Sequence, residues 1–227
     1  MEISAEKLRL YAVADCARLN GHALVEAAKD LLAAGVTCFE MEAGPLSEAE
    51  FEEQARELLP LCRRLHVPFL VRNSIEAVQR LDADGVRLDW SETKVAEARR
   101  ALGMEKIVGA SAHCVREAIL ARRQGADFLV CGSVFGSSLN DDVVALERPE
   151  LWRICKAADV PVVAAGGITL QNAPLLIATG VAGIAVSRGL FGAPNRLIAG
   201  HTLRTMAERI CAYQEEPPII NYRWRNR

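Results

Sequence analysis

Two spacings of hydrophobic positions alternate along the chain. Apolar runs of strand length fall at residues 8–14, 36–41, 68–71, 84–88, 106–111, 127–131, 161–165 and 182–186. Between them lie segments with apolar residues three and four apart, the spacing of one helix face, as at 23–35, 48–65, 115–125 and 171–180. Most of the strand runs are continuous rather than alternating, as expected where a parallel sheet is covered on both faces. Gly35, Gly103, Gly125 and Gly180 end helical segments, where a left-handed cap favours glycine. The loops from helix to strand are very short, whereas those after the strands are longer and more polar. Eight such units between residue 8 and about residue 212 predict an α/β chain folded as a (β/α)8 TIM barrel. An open doubly wound sheet fits less well, because only closure removes the edge strands.

Residues 1–212 therefore read as a single barrel domain, with 1–7 as a lead-in and 213–227 as a C-terminal tail. Pro217 and Pro218 keep the last helix out of the tail, whose final residues are RWRNR. A tail packed on a neighbouring surface is the first reading, and a phosphate or partner contact the second.

Composition narrows the picture. Hydrophobic residues make up 51% of the 227 and aromatics only 5%, so the core is mainly aliphatic. The net charge of -2, without a basic stripe or acidic tail, argues against a nucleic-acid partner. No apolar run approaches the ~18 residues of a membrane helix, and the charged N-terminus lacks a signal-peptide pattern. The expectation is a cytoplasmic protein that does not engage membranes. Seven cysteines, an odd number with no CxxC pair, read as free thiols in a reducing compartment rather than a zinc site. A homodimer is left open.

In barrels of this kind chemistry gathers at the C-terminal ends of the strands. That selects Asp15, Glu40, Glu42, Arg72, Asn73 and Asp89 from the first four units. From the loop after the fourth strand and the later units it selects Glu92, Ser111, His113, Ser133, Ser137 and Ser138. The strongest local signal is AAGGIT (164–169) followed one unit later by AVSRGLFG (185–192). Gly166 and Gly167 let the backbone approach a ligand closely, and the amides of Ser187 and Arg188 open a short helix aimed at the same anion.

The order LYAVAD, AAGVT, VPFLVRN, ADGVRL, GASAH, GADFLVCGSVF, PVVAAGGIT and GIAVSRGLFGAP, over residues 8–195, resembles thiamine-phosphate synthase and its relative thiazole tautomerase. The resemblance implies a phosphorylated small-molecule ligand in thiamine biosynthesis. The synthase joins a hydroxymethylpyrimidine pyrophosphate to a thiazole phosphate, with magnesium on the pyrophosphate. Gly166, Gly167 and Ile168 fall on the family's GGI, and Ser187 and Arg188 on its second phosphate segment. Ser111 falls on the serine of VSTH and His113 on its histidine, while Ser137 matches a threonine in hydroxyl character.

The pyrophosphate end departs from that pattern. Where the family reads Q-x-R-E-K after the second strand, this chain has Glu40, Met41, Glu42, Ala43 and Gly44. Asn-Asp after the third strand becomes Arg72-Asn73, and GQED after the fourth becomes DWSE, with Glu92 at a magnesium position. A lysine position after the sixth strand holds Asn140, and the tautomerase histidine position holds Ser133. At an effective dielectric of ~20 a charge pair ~4 Å apart is worth about 4 kcal/mol, so exchanging cations for carboxylates there opposes pyrophosphate.

Glu40 and Glu42 lie two apart on one strand and so share a face. With Asp89 and Glu92 nearby, they form either a general acid or base, a site for a metal or cationic ligand, or an ion-pair layer neutralised by Arg72 and other cations. Three functions follow. One is a synthase-type transferase using Glu40, Glu42, Ser111 and His113 with Arg72, Asn73 and Ser133 on the substrate. The second is a non-catalytic binder of a phosphorylated ligand or a partner. The third is an isomerase or lyase built on Glu40 and Glu42.

Overall fold

The computed structural model describes residues 3–15, 21–44, 46–136 and 145–213. Eight strands form a closed barrel in chain order. They are β1 (Leu10–Asp15), β2 (Cys38–Glu42), β3 (Phe69–Arg72), β4 (Gly85–Leu88), β5 (Ile107–Ala112), β6 (Phe128–Cys131), β7 (Val162–Ala165) and β8 (Gly183–Val186). Each pairs in parallel with the next, and β8 returns to β1 with Leu10 opposite Ile184. The α/β barrel expected from the hydrophobic pattern is the fold.

The helices packed outside are α1 (Gly21–Ala33), α2 (Glu48–Arg64), α3 (Ile75–Leu81), α4 (Lys94–Leu102), α5 (Val115–Arg123), α6 (Arg148–Ala157), α7 (Arg188–Phe191) and α8 (Arg196–Ala212). In α2, Ser47 and Glu50 form a reciprocal capping box: the Ser47 hydroxyl accepts from the Glu50 amide, and the Glu50 carboxylate accepts from the Ser47 amide. Its buried residues Phe51, Ala55, Leu58, Leu59 and Cys62 recur at helical spacing and pack on the sheet.

One expected helix is absent as such. The segment 171–180 contains a single 3-10 turn, Ala173–Leu176. Pro174 sits at the start of that turn and leaves it one amide short, while Ile177 is already extended. The apolar spacing is met instead by burying Ala173 and Leu176 under α8. The lead-in also has structure, a 3-10 turn over Ala5–Leu8. Six cysteines, at 38, 62, 114, 131, 155 and 211, are free. Among the described residues no helix is long and apolar enough to cross a membrane. Apart from Tyr213, the tail lies outside the described residues.

Side chains two apart on each strand point into the barrel and stack in layers. The lower layers are apolar: Ile3 and Leu8 join Tyr11, Leu70, Ile107 and Phe128 in one buried cluster. Gly109 makes room for the Phe128 ring, which a Cβ there would meet at 2.3 Å. Above this cluster the interior becomes charged.

Candidate functional site

The charged layer begins with Glu40, fully buried on β2. Its carboxylate accepts from both Nε and Nη2 of Arg87 at 2.7 Å each, and from the Tyr11 hydroxyl at 2.5 Å. A fork of this kind matches guanidinium to carboxylate in geometry as well as charge. Burial, and then the Glu40 charge, push the Tyr11 phenol well above its usual range, so it remains a donor. The remaining Arg87 nitrogen, Nη1, reaches the Ser111 hydroxyl at 3.0 Å and Asp89 at 3.2 Å.

Asp89 links this group to a second one nearer the mouth. Its Oδ1 also accepts from Arg72 Nη2 at 2.9 Å, and Arg72 Nη1 donates to Glu42 at 2.6 Å. Asn73, held at φ 57°, donates to Asp89 through Nδ2 and accepts from its backbone amide, both at 2.8 Å. Burial works against the Asp89 charge, but the Asn73 hydrogen bond and the two guanidiniums outweigh it and hold the carboxyl below its usual value. Glu40 and Glu42 thus share one face, as their spacing requires, and stand in an ion-pair network with Arg72 and Arg87.

A cavity of about 1180 Å³ opens above the network. Glu42, Arg72, Arg87, Asp89, Ser111 and His113 line one end; Glu40 is fully buried, and Asn73 is exposed outside the lining. His113 stands at the rim, with Nδ1 3.0 Å from Glu117. Gly166, Gly167, Ile168, Ser187, Arg188 and Gly189 line the opposite end. Gly166 and Gly167 have φ of 96° and 64°, and a Cβ on Gly167 would lie 2.7 Å from the Gly136 carbonyl oxygen. Both positions therefore need glycine. Asn172 fixes their loop, donating to the Gly167 carbonyl and accepting from the Thr169 amide, both at 2.8 Å. Ser187 and Arg188 start α7, whose first amides lack helical acceptors. Ser133 lines the wall between the two ends, with its hydroxyl against Gly166.

The structure thus brings together, around one cavity, Glu42, Ser111, His113, Arg72, Ser133 and both glycine-rich segments. It leaves Glu92 out: that side chain is 68% exposed, 3.6 Å from Arg116. Ser137, Ser138 and Asn140 lie outside the described residues, as does the Asp15 side chain. Among the described residues, those at the mouth do not form a magnesium site. Asp89 is engaged by two arginines and an asparagine, Glu92 faces away, and the described residues contain no group of three or more His, Cys, Asp or Glu that could hold a metal.

Arg87 and Tyr11 were missed by sequence reasoning, as was the Asn172 clamp. A signal for Arg87 existed: an arginine inside an otherwise buried strand needs a partner, and Glu40 is the equally anomalous carboxylate on β2.

The family model for thiamine monophosphate synthase matches residues 10–190. A thiamine-phosphate synthase of Clostridium acetobutylicum is 34% identical over 185 residues, covering 82% of this chain and 88% of that protein. One from Geobacillus kaustophilus is 37% identical over 180 residues, covering 77% and 81%. Among known structures, thiamine phosphate pyrophosphorylase from Pyrococcus furiosus superposes with a TM-score of 0.82 at 32% identity, covering 91% of this chain and 98% of that one. A 3-hexulose-6-phosphate synthase shares the fold at 19% identity, with a TM-score of 0.68 and coverage of 87% and 98%. With matches of this extent, the chain belongs to the thiamine monophosphate synthase family.

Proposed function

We propose that this protein acts in thiamine biosynthesis by binding a phosphorylated heterocycle of the thiazole phosphate type, in a site that does not accept the pyrophosphate partner in the family's usual way. The phosphate lies against the backbone of Gly166, Gly167 and Ile168 and the start of α7 at Ser187 and Arg188, and Ser133 borders the ring. The observation that carries this reading is the division of the cavity. One end offers backbone and a single arginine, whereas at the other Arg72 and Arg87 are already turned onto Glu40, Glu42 and Asp89. Drawing either guanidinium toward a pyrophosphate would strip a carboxylate of its partner, and for buried Glu40 that costs about 3–5 kcal/mol.

An isomerase or lyase has less support. Glu40 is sealed beneath Tyr11 and Arg87, which leaves Glu42, Ser111 and His113 to move protons. Calorimetry tests the main reading. Thiazole phosphate alone is expected to bind, and hydroxymethylpyrimidine pyrophosphate with magnesium is not. Turnover of the two to thiamine phosphate would overturn the reading, and failure to bind any phosphate ligand would remove the cradle itself.

A further inference from the structure

Past their strand ends, the segments that follow β6 and β7 stay pressed together. Val134 donates its amide to the Ala165 carbonyl at 2.9 Å, and Phe135 donates to the Gly166 carbonyl at 3.2 Å. The Ser133 carbonyl accepts from the Leu146 amide at 2.8 Å, so the backbone of this segment is held from both sides. A Cβ on Gly132 would lie 2.8 Å from the Ala165 carbonyl oxygen, and one on Gly166 would collide with the Ser133 hydroxyl. Ser133 therefore stands directly against the first glycine of the cradle. Its hydroxyl is shielded from solvent and has no hydrogen-bond partner, and it is the one cavity-lining side chain in that state among the described residues. By contrast, the Ser111 hydroxyl accepts from Arg87 at 3.0 Å and the Thr169 hydroxyl from the Asn172 amide at 3.3 Å. A buried hydroxyl without a partner costs stability, and alanine would fill the same place without that cost.

We infer that Ser133 forms a third side of the phosphate cradle, its hydroxyl turning to donate a hydrogen bond to the bound phosphate. Rotation about the Cα–Cβ bond carries the hydroxyl between staggered positions while the backbone stays fixed. A phosphate dianion beside Gly166 offers only acceptors, and the serine hydroxyl has its proton uncommitted. A hydrogen bond to a charged oxygen is stronger than one between neutral groups, enough for about a tenfold gain in affinity. Units 7 and 8 thus supply backbone amides and Arg188, while unit 6 adds a hydroxyl on the side of the phosphate that faces the ring. The free protein carries the unpaired group, and the ligand completes it.

The inference rests on the phosphate placement proposed above, and the S133A variant separates the two. Thermal melts are recorded without ligand, and calorimetry compares inorganic phosphate and thiazole phosphate on the wild type and the variant. Without ligand, S133A is expected to melt at or above the wild-type temperature, because it loses an unpaired buried hydroxyl and no contact. Both probes are expected to bind it about tenfold more weakly. A variant that melts below the wild type, or does not fold, gives the hydroxyl a structural role and overturns the inference. Unchanged affinity for both probes overturns it as well, and leaves the cradle of Gly166, Gly167 and α7 standing. A loss confined to thiazole phosphate assigns the hydroxyl to the ring instead, against the inference. If the wild type binds neither probe, the cradle fails and the role of Ser133 with it.

Discussion

A buried charge is tolerated only where its partners are built around it, and Glu40 is the clearest case in this barrel. It accepts three hydrogen bonds, two of them from one guanidinium. Removing Arg87 leaves the carboxylate in the barrel interior with Tyr11 alone. R87A is therefore expected to lower stability by about 3–5 kcal/mol in urea denaturation. The E40Q/R87M pair should lose less than R87A, because it removes the charge together with its partner. A loss under about 1 kcal/mol for R87A would show that the network contributes little. At this scale the sequence was only half legible. Glu40 and Glu42 stood out, and their common face followed from strand period. Their partners did not, because Glu40 and Arg87 are 47 residues apart and no local rule joins them.

Elements were easier to read than contacts, because each is set by neighbours in the chain. The eight strand runs fall within a few residues of the observed strands. Ser47 and Glu50 lie three apart before an apolar helical run, and they fix where α2 starts. Replacing Ser47 with alanine removes one acceptor from the first turn and exposes the other half of the box to competition with water. The expected cost is about 1 kcal/mol, seen as a lower denaturation midpoint with unchanged denaturant slope. A changed slope would mean that more than the cap had been lost. The segment 171–180 shows the limit of periodicity. Apolar residues at helical spacing required burial, and a 3-10 turn with Pro174 met that requirement without an α-helix. The Gly166-Gly167 turn before it was legible because positive φ and close approach leave few alternatives to glycine.

Across the whole barrel the charged network and the glycine cradle occupy different halves. Tyr11, Glu40, Glu42, Arg72, Arg87, Asp89 and Ser111 come from the first five units and tie them together beneath the mouth, while the last two units supply backbone. Acid should act on the first half. The folded pKa of Asp89 lies below its ordinary unfolded value near ~3.9, so its ionised form stabilises the native state above about pH 4. That contribution fades as pH falls through the folded value, where native and unfolded chains are both protonated. D89N lacks it at every pH. The melting temperature of D89N is thus expected to lie below that of the wild type at pH 7, with the gap narrowing as pH falls below the ordinary carboxylate range. Melting curves at pH intervals over that range measure the gap directly. A gap that stays constant would mean that Asp89 acts through packing rather than charge, and that the pairs around it do not hold the first half of the barrel together.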